Sequence, residues 1–102
     1  MPTLVSGINL NTSTGEDYPL ISADDLTLYF ASSRAGGLGG SDIYIAKRTS
    51  VVAGFSDPVP FTEVNTAAAE LPSWISADGC EFWFSRVTAT SSYDFYVARR
   101  PL

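Results

Sequence analysis

The chain has 102 residues, 45% of them apolar and 17% charged, with six Lys and Arg against eleven Asp and Glu for a net charge of −5. That is the size of one ordinary domain with enough apolar content to exclude intrinsic disorder, and the acidic balance argues against a general nucleic-acid or anionic-membrane binder. A single cysteine, Cys80, and no histidine exclude an intrachain disulfide, the common zinc sites, and Ser-His-Asp or Cys-His catalysis. In chain order, the opening MPTLVSGINL lacks the basic and long apolar regions of a signal peptide, and no apolar run approaches the roughly 18 residues of a membrane-spanning helix. Residues 18–23, 26–33 and 42–48 read as strands, rich in aromatic and β-branched residues and bounded by Ala23-Asp24-Asp25 and by the run Ala35 to Gly40. Pro58 to Val64 reads as an edge strand, since proline cannot donate to a ladder. Residues 72–77, 80–85 and 93–99 complete the set, with Ala77-Asp78-Gly79 as a turn. No window carries a helical apolar stripe.

The strands belong to an internal repeat. Asn11 to Asp24 recurs as Asn65 to Asp78, 54 residues on, with Asn11/Asn65, Thr12/Thr66, Glu16/Glu70, Ile21/Ile75, Ser22/Ser76, Ala23/Ala77 and Asp24/Asp78 identical. Leu26 to Phe30 then matches Cys80 to Phe84. The second copy is two residues shorter from there, so that Arg34 aligns with Arg86 and Ser41 to Arg48 with Tyr93 to Arg100. At the first spacing, Leu4 to Leu10 also aligns with Pro58 to Val64, pairing Val5 with Val59 and Leu10 with Val64. A period slightly above 50 lies near propeller-blade lengths and above those of helical repeats.

The segments YPLISADDLTLYFASSRAGGLGGSDIYIAKR and LPSWISADGCEFWFSRVTATSSYDFYVARR resemble TolB-like β-propeller repeats, with a proline, a Ser-x-Asp-Gly turn, an aromatic strand, a Ser-x-Arg and an Asp-aliphatic-Tyr strand. Copy one departs at Asp25, which replaces the turn glycine, and copy two in its shortened, glycine-free loop from Val87 to Ser92. The resemblance implies an all-β chain of two four-stranded antiparallel blades, within six-bladed rings. The parts are an orphan outer strand at about 3–10, blade one at about 16–64 and an incomplete blade two at about 70–100. A free pair of blades exposes apolar faces and an open edge. The orphan strand is therefore expected to complete the last blade of a neighbouring chain. Three chains would close a six-bladed ring, and four an eight-bladed one.

Two readings stand for each candidate site. Arg34 with Asp42, and Arg86 with Asp94, recur at matched spacing and read as a structural ion pair bracing each blade, or as a polar ligand site. Asp24 and Asp78 read as turn aspartates that accept backbone amides, because Asp24-Asp25 does not supply a calcium loop. Glu16 and Glu70 precede the first, innermost strand of each copy. A closed trimer would gather six such carboxylates at one channel mouth, where they would repel or recruit a cation; otherwise they are solvated loop residues. Among the aromatics, Tyr29/Trp83 and Tyr44/Tyr96 occupy matched packing positions, whereas Trp74 replaces Leu20 and is the candidate for a blade-specific ligand contact. Cys80 reads as a buried small hydrophobe, and the glycine run Gly36 to Gly40 is not a phosphate loop.

The expected function is a non-catalytic propeller scaffold that self-associates and binds a protein, peptide or ligand. No cofactor or metal is expected, and nothing marks a nucleophile, an acid–base pair or an oxyanion hole. The alternative is a lectin-like carbohydrate binder with inter-blade aromatic pockets. The resemblance implies a bacterial-envelope or secreted setting, although the chain shows no export signal.

Overall fold

The structure, a computed structural model, describes residues 3–12, 15–34, 40–87 and 93–100. It is all-β, with no helix among the described residues. β1 (Glu16–Ile21), β2 (Thr27–Ser32), β3 (Asp42–Lys47) and β4 (Val59–Pro60) form one antiparallel sheet in that order. β5 (Glu70–Ile75), β6 (Glu81–Val87) and β7 (Tyr93–Arg99) form a second.

The strand order follows the expectation, and the boundaries move for local reasons. β1 and β5 begin two residues early because Glu16 and Glu70 join the ladder opposite Ser32 and Arg86. They end early because Ser22 and Ser76 open tight turns. In the first turn the Ser22 hydroxyl donates to Asp24 at 2.6 Å and accepts from the Thr27 amide at 3.0 Å. In the second, Ser76, Asp78 and Glu81 make the same bonds at 2.6 and 3.0 Å. The third turn position is left-handed in both, Asp25 at φ 64 and Gly79 at φ 75. Glycine adopts that region without penalty; aspartate tolerates it better than most residues do. The expected strand from Pro58 to Val64 pairs only at Val59 and Pro60, opposite Ile45 and Tyr44. Its two prolines bring no amide protons, and the chain turns from Phe61, whose carbonyl accepts the Val64 and Asn65 amides at 3.0 Å.

The expected outer strand at 3–10 is not a strand in the single chain. It makes an isolated parallel bridge between Gly7 and Phe55: Ile8 donates to the Phe55 carbonyl, and Phe55 to that of Ser6, both at 3.0 Å. A Cβ on Gly7 would lie 3.0 Å from Phe55, so the close approach needs a glycine here. The expected glycine loop at 36–39 and the shortened loop at 88–92 lie outside the described residues.

Alternation along the strands sorts the apolar side chains into two cores. Leu28, Phe30, Tyr44 and Ala46 face one side of the first sheet, under Leu10 and Phe55. Tyr29, Ile43, Leu20 and Ile45 face the other side and meet Phe82, Phe84, Ile75 and Ala98 of the second sheet, with Phe61 and Val64 at the junction. Phe82 is the hub: its ring lies 4.9 Å from Tyr29 and 5.1 Å from Phe61, both edge-on, and 6.0 Å from Phe84. Backbone bonds cross the same junction. Glu70 donates to the Ser41 carbonyl at 3.0 Å, and the buried Asn65 side chain both accepts from the Ile43 amide and donates to its carbonyl, each at 2.8 Å.

Candidate functional site

The repeated polar residues gather into two copies of one clasp where the chain enters each sheet. In the first, the Thr12 amide donates to Glu16 Oε1 at 2.9 Å and its hydroxyl to Glu16 Oε2. Arg34 Nη2 donates to the same Oε2 at 3.0 Å and to the Leu10 carbonyl at 3.0 Å. In the second, Thr66 holds both Glu70 oxygens, Arg86 Nε donates to Glu70 Oε2 at 3.0 Å, and Arg86 Nη2 donates to the Val64 carbonyl at 2.8 Å. Each guanidinium also lies over two rings: Arg34 5.1 and 5.2 Å from Phe30 and Tyr44, Arg86 5.4 and 4.7 Å from Phe84 and Tyr96.

The arginines therefore brace each repeat, but their ion-pair partner is the glutamate rather than the expected aspartate eight residues on. Asp42 is buried opposite Ser32, and Asp94 is exposed opposite Arg86. Aligning the strands exposes the reason. Phe30 pairs with Tyr44 and Phe84 with Tyr96, which puts Ser32 and Arg86 at the same ladder position. Arg34 sits two residues farther along and reaches back, its Nε donating to Ser32 Oγ at 3.1 Å. Two different backbone positions deliver one guanidinium to one place.

The clasp also corrects the picture of free channel carboxylates. Glu70 is fully buried and Glu16 is largely covered, each held by threonine and arginine. At Glu16, burial pushes the pKa up, but the Thr12 hydroxyl and amide and the Arg34 guanidinium outweigh it and hold the carboxyl below its ordinary value of 4.5. The charge of each carboxylate is met by an arginine and by threonine donors, so neither is the free, solvated charge that would repel its neighbours or gather a cation. Among the described residues no cluster of three or more acids, cysteines or histidines is placed to hold a metal.

Asp24 and Asp78 take the turn role. The Ser22 hydroxyl first, then the Leu26 amide, lower Asp24 below 3.8; Ser76 and the Cys80 amide do the same for Asp78. A carboxylate with a depressed folded-state pKa stabilises fully above its unfolded value, and that stabilisation is lost as pH falls through the folded value. We expect the thermal unfolding midpoint to fall progressively below about pH 4.5, and Asp24→Asn with Asp78→Asn to make that fall shallower. Circular-dichroism melts from pH 7 to pH 3 check this; a slope unchanged in the double variant would contradict it.

Cys80 is half-buried rather than buried, and its thiol lies 3.8 Å from the Asp78 carbonyl. Desolvation, with the Asp78 charge, raises its pKa and keeps the thiol protonated. Trp74 stands opposite Trp83, and the two are 52% and 38% exposed on the face of the second sheet turned away from the first. With Phe95, 83% exposed, they line an apolar groove whose polar neighbour is Ser73. A second apolar groove lies beside the first clasp, lined by Val5, Leu10, Leu28 and Phe30. Sequence reasoning missed Asn65, Thr12 and Thr66, although Asn-Thr-x-x-x-Glu stands identically at both copies. Comparison with protein-family models, curated proteins and solved structures finds no match.

Proposed function

We propose that this chain is a non-catalytic, two-blade unit similar to TolB-like propeller repeats, and that three copies close a six-bladed ring serving as a protein- or ligand-binding scaffold. The observation that carries the reading is an asymmetry between the two sheets. The first has its outward edge occupied by β4 and one face covered by the second sheet. The second repeats that edge at β7 and that face at Trp74, Trp83 and Phe95, and there, among the described residues, they meet solvent. Contiguous apolar surface of this kind marks an interaction site. The polar clasps brace the frame and leave no reactive group exposed in them. The carbohydrate alternative has the exposed Trp74 ring behind it, but a sugar site needs several convergent polar groups, and Ser73 alone supplies little.

Light scattering coupled to size exclusion tests the reading directly. We expect a mass near three times 10.9 kDa. A folded monomer at micromolar concentration would overturn the ring.

A further inference from the structure

We propose that the cleft between the two sheets is a binding site for a small aliphatic primary amine, with its ammonium held by Asp24 and Asp78 and its alkyl tail lodged behind Tyr29. The cleft lies within one chain, so the site stands whether or not the ring closes.

Two spaces adjoin there. The outer one, about 430 Å³, lies between the Ser22–Asp24 turn and the Ser76–Asp78 turn. The inner one, about 60 Å³, is a slot walled by Phe61, Ile75, Phe82 and Ala98. Tyr29 and Arg100 line both. Tyr29 is 7% exposed, with its ring pinned 4.9 Å from Phe82 and 5.9 Å from Phe61. Its hydroxyl makes no hydrogen bond among the described residues. No fully buried side-chain oxygen lacks a partner, so the hydroxyl is the part of Tyr29 that reaches the cleft. A phenol this deeply buried ordinarily has a partner. Burial pushes the Tyr29 pKa above its ordinary 10, the Arg100 charge lowers it and the Asp24 charge raises it, so both charges are felt at that hydroxyl.

The charges select the head group. Around the two spaces stand Asp24, Asp78 and Glu63 against Arg99 and Arg100. Arg99 is already paired with Glu81 at 3.2 Å, and Arg100 Nε donates to the Gly79 carbonyl at 2.9 Å. The balance is acidic and favours a cation over an anion. The hydroxyl and amide bonds that close each turn fall on Oδ1 of the aspartate. Oδ2 of Asp24 and of Asp78 takes no part in closing the turns and is left for a ligand donor. Two carboxylate oxygens and one phenol oxygen match the three N–H donors of a primary ammonium. A metal ion fits less well, because among the described residues no third acid or cysteine joins the two aspartates. The slot selects the tail. A water needs about 10–15 Å³ of such space, so about 60 Å³ takes a chain of roughly four or five carbon atoms.

The test is a titration of the whole chain with isopentylamine at fixed ionic strength, followed by amide proton–nitrogen NMR. Saturable shifts are expected at Asp24, Gly79 and Ala98. Isopentyl alcohol, which keeps the tail and loses the charge, is expected to bind at least about tenfold more weakly. Methylammonium, which keeps the charge and loses the tail, is expected to do the same. Asp24→Asn with Asp78→Asn is expected to weaken the amine at least about tenfold. Because that pair also alters both turns, Tyr29→Phe serves as a second variant. It is expected to weaken the amine about threefold to tenfold without lowering the melting temperature, since the hydroxyl it removes bonds nothing in the fold. No saturable shift by about 10 mM amine, equal affinity for amine and alcohol, or unchanged affinity in folded Tyr29→Phe overturns the site. Light-scattering mass on the same sample separates this from the ring: a monomer that binds the amine keeps the site and loses the ring.

Discussion

Arg86→Ala is expected to cost about 3–5 kcal/mol of stability, because it strands a fully buried carboxylate without its counter-ion. Glu70 then keeps only its two bonds from Thr66. The same change removes the guanidinium from over Phe84 and Tyr96 and frees the Val64 carbonyl. Arg34→Ala removes the equivalent brace, but Glu16 retains some solvent contact, with its side chain 14% exposed, so its loss is expected to be the smaller. Adding Glu70→Gln to Arg86→Ala removes the stranded charge and is expected to recover part of the deficit. Urea unfolding followed by tryptophan fluorescence checks the series. A cost under about 1 kcal/mol for Arg86→Ala would show that Glu70 is hydrated and that the clasp is a surface pair.

Phe82→Ala is expected to cost a similar amount, about 3–5 kcal/mol, by opening a cavity between the two sheets. Phe82 is 5% exposed and touches Tyr29, Phe61 and Phe84, so its loss should loosen both sheets in one transition. Phe95→Ala, on an 83% exposed ring, should change the unfolding energy of the dissociated chain by less than about 0.5 kcal/mol. Paired melts of the two variants under dissociating conditions check this. Equal costs would mean that Phe95 is covered within the single chain.

The strands were legible in the sequence because period-two apolar patterning and turn residues act locally. β7 at Tyr93–Arg99 matches its expected range, and β1 and β5 shift by two residues because the turn serines stop them early. The alignment with Pro58 to Val64 predicts a strand at 3–10, but strand formation needs a partner edge, and this segment makes one isolated bridge, Gly7 to Phe55, where Val59 and Pro60 pair with β3. The polar sites were half legible. Identity at Thr12/Thr66 and Glu16/Glu70 signalled a shared role, yet a side-chain pairing across a ladder depends on register. Register is set by Phe30–Tyr44 and Phe84–Tyr96, and that moved the arginines' partner from aspartate to glutamate. Asn65 is marked in the sequence by its identity with Asn11, but not its partner, since its bonds go to the backbone of a residue 22 positions away.

The reach of Arg34 around Ser32 has an engineering consequence. The brace is specified by where a guanidinium arrives, and a long, flexible side chain lets that point be served from either of two backbone positions. A change of two residues in the connection between β2 and β3 is thereby absorbed before it reaches the core. That connection is the natural place to graft a peptide, with the brace insulated from the length of the insert.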